Sequence, residues 1–356
     1  EVALEEIHEG IEIKRLKYIQ LKRSNFVGRL INYFSFTFSV VLKLGYLRNY
    51  KSIIVYSNPP VLPYVAALAS KLFGSKMIFI SYDVYPEMAY VTKSISENSI
   101  ISKIMKIFNN TIFKYATKVV AISNEMKIFL LNHRNLTEKQ MVTIPNWYDD
   151  KYVGENESID NKLFNEIKSK AELVVSYFGN LGICQDLDTI LDAIRFYKND
   201  DKVQFIFAGH GNKMSLLKKI IEEEELNNIK VFDFLHGIDF QDALNISDCF
   251  IVSLADGVTG LGVPSKTYSY MMAGKPIISI IGDESDIAKD LHENNAGYSL
   301  NVGESNKIIN AIKELLDDPI KRKDMGKNSR KVFLEKYTKE KCTNKYIDMM
   351  KQILED

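Results

Sequence analysis

The strongest constraint on this chain is a double series of short apolar runs alternating with helical segments. In the second half, LVVSYFGN, VQFIFAGHG, IKVFDFLHG, CFIVSLA and PIISII read as five strands, with segments such as DTILDAIRFY and KMSLLKKIIEEEE between them. In the first half, KSIIVYSNPP and KMIFISYD flank the small-residue helix PYVAALASKLFG; a helix over residues 100–115 then leads to KVVAIS and MVTIPNWYDD. Ile53 to Tyr56 is expected as a buried strand, and Ser123 as the cap of the helix that follows KVVAIS. Strand, helix, strand in this order gives right-handed crossovers and parallel strands, so the fold class is α/β with two doubly wound domains. A chain of 356 residues can give each domain its own core. The polar stretch Gly154 to Lys170 separates them. The expected division is an N-terminal domain over residues 1–165 and a C-terminal domain over 166–336, with a closing helix over 337–356 packing back on the first.

In open α/β sheets, ligands bind outside the carboxyl ends of the strands. Four stretches of the second half lie there: Gly179-Asn180-Leu181-Gly182, Gly209-His210-Gly211, His236-Gly237-Ile238, and GLGVPSKTYSYMMAGKP from Gly260 to Pro276. In the last, Ser265 is placed to cap a two-turn helix over Thr267 to Met272, which Ala273-Gly274 closes and Pro276 stops. Free amides and the helix dipole at its start, with Lys266 beside them, suit an anion such as phosphate. A loop that merely caps a helix would look the same. It is not a Walker loop: Gly257 and Gly262 have the glycine separation, but Val-Pro-Ser follows where Gly-Lys-Thr must continue. Gly209 and Gly211 would let backbone approach a ligand closely, although a lone GxG is more often a tight turn. His210 has both a ligand contact and a structural hydrogen bond open to it. In the first half, Asp83 and Glu87 are the carboxylates after a strand; Glu87 has the alternative of opening a helix beside Pro86. Two such domains facing across a cleft would hold a ligand between their strand ends.

Lys plus Arg and Asp plus Glu are both 46, so only the distribution of charge is informative. From Ile13 to Tyr82 there is no acidic residue, while Lys14, Arg15, Lys17, Lys22, Arg23, Arg29, Lys43 and others fall there. Within this block Phe26 to Leu47 is apolar and aromatic, but Arg29 and Lys43 bracket only thirteen uncharged residues. A spanning helix needs about 20. Two readings stand: a basic, aromatic face for an anionic bilayer surface, or aromatics in a core with solvated cations. No nucleic-acid module frames the charges, so nucleic acid is not expected as a partner. Cys184, Cys249 and Cys342 have neither metal-ligand spacing nor a disulfide framework, which suits a reducing cytoplasm. No metal and no cofactor are expected. The run Glu222 to Glu225 reads as a solvated helix face.

FGNLGICQDLDTILDA, FAGHGN, FLHGI, VPSKTYSYMMAGKPIIS and DIAKDLHENNAGYSL resemble, in order and spacing, the donor domain of retaining GT-B glycosyltransferases of family four. YSNPP, YDVYPE, VVAIS and IPNWYD resemble the acceptor domain of the branch that builds bacterial capsule, O-antigen and exopolysaccharide repeat units. The resemblance implies a GT-B fold and a hexosyltransferase that retains configuration without an obligatory metal. The implied donor is a nucleotide diphosphate sugar, UDP-linked and carrying a sugar such as an N-acetylated hexosamine. The implied acceptor is a lipid-linked (polyprenyl diphosphate) glycan, met by a cytoplasmic enzyme peripherally associated with the inner face of the cell membrane. A nucleotide-sugar epimerase of the same fold and a non-catalytic nucleotide-sugar-binding partner are the alternatives.

By the same resemblance, Lys266, the amides from Ser265 to Thr267 after Pro264, and Gly182 hold the diphosphate, with Gly179, Gly209 and Gly211 lining the site. Gly237 and Ile238 frame the base, and His210 contacts phosphate or sugar. Asp83 serves as base or positions the acceptor, with Glu87 as the second carboxylate. The chain departs from the family at two points. The Arg and Lys that grip the diphosphate are replaced by Asn180 and Gln185. The usual pair of Glu residues is missing: the second falls at Ser269, and the first has no counterpart near Thr259 to Leu261. Lys266 then stands in as the cation, and Ser269 would hold the ribose only weakly. Family members also begin with a strand, a Gly-rich loop and a helix not seen before EIHEGIEIKRLKYI, so elements at the front are expected to be missing.

Overall fold

A computed structural model describes residues 3–22, 26–149, 159 and 161–355. Arg23 of the basic block, and residues 154–158 and 160 of the separating stretch, lie outside the described residues. The chain divides into two compact units. One comprises Glu1–Ile122, Lys127–Thr143 and Met350–Asp356, the other Ser123–Met126 and Ile144–Met349.

The first unit opens with an antiparallel hairpin, β1 (Glu5–His8) and β2 (Ile11–Lys14), in which His8 pairs with Ile11. Its two-residue turn, Glu9-Gly10, has φ of 48° and 82°, the positive angles that such a tight turn requires. After α1 (Phe26–Leu42) the chain alternates through β3 (Ser52–Tyr56), α2 (Leu62–Phe73), β4 (Lys76–Ser81), α3 (Glu87–Val91), α4 (Ile100–Tyr115), β5 (Ala116–Ala121), α5 (Asn124–His133) and β6 (Met141–Thr143). The strands form a parallel sheet in the order β3-β4-β5-β6. Local signals set the helix ends. Gly74 takes φ 72° and closes α2, Ser99 accepts the Ser102 amide at the start of α4, and Ser123 accepts the Met126 amide at 3.3 Å. β3 corrects one expectation: it is an edge strand, with Ile53 and Val55 buried but Ile54 and Tyr56 about half exposed.

α1 also departs from half of what its composition allowed. Gly28, Asn32 and Thr37 are its buried residues, whereas Phe34 and Phe38 are 55% and 62% exposed, on one stripe with Val27, Ile31, Val41 and Leu42. The helix turns its polar face inward to hold an extended segment. Asn32 exchanges two hydrogen bonds with the Leu21 backbone (2.8 and 2.9 Å), Ser35 accepts the Ile19 amide, and Ser39 donates to the Lys17 carbonyl. Phe34 and Phe38 are therefore not core residues.

The second unit runs α6 (Lys162–Lys170), β7 (Leu173–Phe178), α7 (Asp188–Phe196), β8 (Val203–Ala208), α8 (Asn212–Glu223), β9 (Ile229–Phe232), α9 (Gly237–Ile246), β10 (Cys249–Ser253), α10 (Lys266–Met272), β11 (Ile277–Ile280), α11 (Asp286–Glu293), β12 (Gly297–Leu300), α12 (Ser305–Asp317), α13 (Pro319–Lys336) and α14 (Lys339–Glu355). Six parallel strands lie in the order β12-β11-β10-β7-β8-β9. The sixth, β12, is the edge strand that the sequence reading missed, because Gly297, Tyr298 and Ser299 are only half-buried and carry no apolar run. All six residues of β7 are buried, and its inward side chains join Phe205, Phe207, Ile251 and Ile280 in one core. The expected Glu222–Glu225 helix face is instead a helix end. Only Glu222 and Glu223 lie on α8, Glu225 takes φ 52°, and Glu224 receives two bonds from Arg195.

Candidate functional site

The strand order reverses between β7 and β10, and at such a switch point the loops after the two strands diverge and leave a crevice. Both loops at this point carry sequence-predicted residues: Gly179 to Gln185 after β7, and the stretch into α10 after β10.

The first of these loops is knitted to the one after β8. Gly179 N–H donates to the Ala208 carbonyl and Leu181 N–H to the His210 carbonyl, both at 2.8 Å. A Cβ on Gly209 would lie 2.1 Å from the Gly179 carbonyl oxygen, and one on Gly211 2.4 Å from that of Leu181. The close approach that these glycines permit is to the neighbouring loop. Gln185 folds its side-chain oxygen back onto the Gly182 amide at 2.7 Å, tightening the turn. Lys213, which no motif marked, donates to the Gln185 carbonyl at 2.5 Å and adds a cation to this rim. Asn180 and His210 are exposed and Gly182 is buried.

On the other side of the crevice, α10 starts one residue earlier than expected, and Ser265 makes no side-chain capping bond. The turn closes on backbone instead: Thr267 N–H and its hydroxyl both donate to the Pro264 carbonyl (3.0 and 2.8 Å), and Tyr268 N–H donates to the Ser265 carbonyl. Of the amides from Ser265 to Thr267 expected to be free for an anion, that of Thr267 is spent in this way. Ser269 is buried and gives its hydroxyl to the Lys266 carbonyl at 2.8 Å, so it presents no side chain to a ribose. The charge at this end of α10 is Lys266. Its ammonium donates to the Asn180 carbonyl at 3.1 Å and lies 3.6 Å from the centre of the Tyr177 ring. Part of the side chain stays open to solvent, while burial of the ammonium pulls its pKa down to about 7. The crevice therefore holds a cation whose partners are a neutral carbonyl and an aromatic face.

After β9, the expected base-framing residues Gly237 and Ile238 open α9, with Ile238 59% exposed. Phe234 was not singled out from the sequence. It is half exposed, between the rings of His210 (5.8 Å) and His236 (4.6 Å). An exposed phenyl flanked by two imidazoles offers a flat ring the apolar face it prefers.

The two carboxylates of the first unit have different surroundings. Asp83 borders a small pocket with Ser57, Ser81, Tyr85 and Asn109, and burial raises its carboxyl above the usual range. Its backbone amide and that of Tyr82 both donate to the Ser57 hydroxyl, which holds the turn after β4 in place. Glu87 does not reach a pocket as a free carboxylate. It binds the largely buried Arg134 at 2.6 Å, and Arg134 and Asn109 also hold the Tyr85 carbonyl.

Residues 158–332 match the family model described as Glycosyl transferases group 1. The Probable glycosyltransferase WbjE of Pseudomonas aeruginosa is 26% identical over 322 residues, which span 90% of this chain and 79% of the relative. The crystal structure of Anabaena HepE in complex with UDP shares the fold with a TM-score of 0.73 at 17% identity, over 96% of this chain and 86% of that one. Sucrose-phosphate synthase from Thermosynechococcus elongatus gives a TM-score of 0.76 at 14% identity, over 99% of this chain and 86% of that one. The fold in common is the GT-B architecture of two α/β domains with parallel sheets and alternating helices.

Proposed function

We propose, from the match of residues 158–332 to the glycosyl transferases group 1 family model, that the chain transfers a hexose, with retention, from a UDP-linked sugar to a lipid-linked glycan of a surface polysaccharide. The observation that carries this reading is Lys266, an ammonium with neutral partners at the switch point of the second sheet. Breaking a glycosyl phosphate bond leaves negative charge on a diphosphate, and a fixed cation in a partly dry crevice stabilises that charge far better than water does. UDP as the nucleotude's base and phosphates is supported by the UDP complex of Anabaena HepE, which shares this fold. In this reading the base lies along Phe234 and Ile238, the diphosphate reaches Lys266, and Gly182 and Asn180 border the sugar.

We assign Asp83 to the acceptor hydroxyl. A carboxyl whose pKa burial has raised can hold that hydroxyl as a hydrogen-bond partner and can take its proton, a task the departing phosphate can share. Glu87 is assigned the anchoring of Arg134 and the turn at Tyr85, not chemistry. A lipid-linked acceptor requires work at a membrane, and the outward apolar stripe of α1, with Arg29 and Lys43 at its ends, suits an anionic bilayer surface.

The test is transfer from a panel of UDP-sugars to polyprenyl diphosphate glycans in a lipid extract, read by mass spectrometry of the product and release of UDP. Lys266→Ala is expected to lose at least about 100-fold in turnover, as when one oxyanion donor is removed, while its melting temperature stays near wild type. A Lys266→Ala protein with wild-type turnover would remove the phosphate assignment. Isomerised sugar without any acceptor would replace transfer by epimerisation, and UDP-sugar binding without turnover on any acceptor would point to a binding partner.

A further inference from the structure

Beneath Lys266 lies a residue with no place in any motif. Tyr177, near the end of β7, is fully buried, and its ring stacks on Phe207 at 5.3 Å and 12°. The Lys266 ammonium lies over this ring, 3.6 Å from its centre. The Tyr177 hydroxyl donates to the Asn180 carbonyl at 2.9 Å, the same oxygen that accepts the Lys266 ammonium at 3.1 Å. One carbonyl thus receives two donors, and the ring of one donor carries the charge of the other. Gly179 beside them takes φ 117°, a backbone that L residues rarely adopt, while a Cβ there would make only an ordinary contact with Lys266 Cε at 3.5 Å.

We propose that Tyr177 is a positioning residue: its ring and hydroxyl park the Lys266 ammonium and the Asn180 carbonyl together, and an incoming diphosphate takes the ammonium over from that neutral platform. The inference rests on the reading of Lys266 as the cation for a diphosphate. A ring face and one carbonyl solvate an ammonium less well than water does, so the lysine is held in place without being neutralised by a partner. The lowered pKa of Lys266 agrees with this. The titratable group whose ring the ammonium faces is Tyr177 on β7, and burial pushes its hydroxyl well up, so that it stays neutral. Lys213 is turned to the Gln185 carbonyl on the other arm of the loop. Arrival of a diphosphate supplies the missing counter-charge and so favours the protonated lysine. Binding near pH 8 must then take up a proton.

Calorimetry of UDP binding at pH 8, repeated in buffers of different ionisation enthalpy, counts that proton; UDP is fully ionised at this pH. Wild type is expected to take up close to one proton per UDP, and Lys266→Met none. Tyr177→Phe, which keeps the ring and the core volume, is expected to retain the uptake. Tyr177→Leu, which removes the platform, is expected to bind UDP roughly tenfold more weakly and with less uptake. UDP binding by wild type with no proton uptake overturns the inference and leaves the proposed function standing, as does a folded Tyr177→Leu protein with unchanged affinity and proton count. Failure of wild type to bind UDP at all overturns the functional reading and this inference with it.

Discussion

Gly209→Ala would set a methyl group against the Gly179 carbonyl, in a backbone of φ 139° that favours glycine. The two strand-end loops could then no longer share their hydrogen bonds, so the damage would reach Asn180 and, through its carbonyl, the ammonium of Lys266. The expected loss is about 1–3 kcal/mol of stability, measured by urea unfolding, together with weakened UDP binding. A variant as stable as wild type would show that the loops can separate freely. At this scale the glycines were legible in the sequence as a demand for close approach, but not what approaches: spacing marks a missing side chain, not the atom that fills its space. Tyr177 was illegible for a different reason. Within LVVSYF every residue is buried, and only the folded sheet shows that one ring extends from the core to the lysine that opens α10.

α1 poses the same problem one scale up, because an amphipathic helix does not say which of its faces is inside. Here Asn32, Ser35 and Ser39 hold the extended segment 17–21, so the polar face is satisfied by backbone and the apolar stripe is left outside. Arg29 is exposed on the same helix, and Lys43 follows its last turn. Replacing Phe34 and Phe38 together by Ser is expected to leave the melting temperature within the range of surface changes, since both rings are already exposed. Binding to vesicles containing anionic phosphatidylglycerol should weaken at least about tenfold, as two aromatic rings lose apolar burial in the interface. Sedimentation of protein with vesicles reads the difference; unchanged binding would remove α1 as the membrane face. The alternating pattern that located β4, β5 and β7 to β11 in the sequence is a signal of burial. It therefore overstated the burial of β3 and missed β12, both edge strands, and could not place the hairpin β1–β2, which is almost wholly exposed.

For the whole molecule, the buried ammonium predicts how stability responds to pH. Lys266 binds its proton in the unfolded chain up to about pH 10.4 but in the folded one only up to about 7. Between these values the unfolded state holds the extra proton, so this group makes stability rise with pH across that window, by up to about 1.4 kcal/mol per unit. Buried Cys249 works the other way. Its thiol is pushed up by burial, so the unfolded chain ionises first and stability falls as pH rises past the ordinary thiol range. The two must be separated by difference. Denaturant unfolding of wild type and Lys266→Met at pH 7 and pH 9, followed through the transition of the second unit because two units need not unfold together, should show Lys266→Met gaining less stability between the two pH values. Saturating UDP should flatten the wild-type rise by restoring the charge on the lysine. Parallel curves for the two proteins would mean that the ammonium is solvated in the folded chain, and that its neutral platform is not a property of this fold.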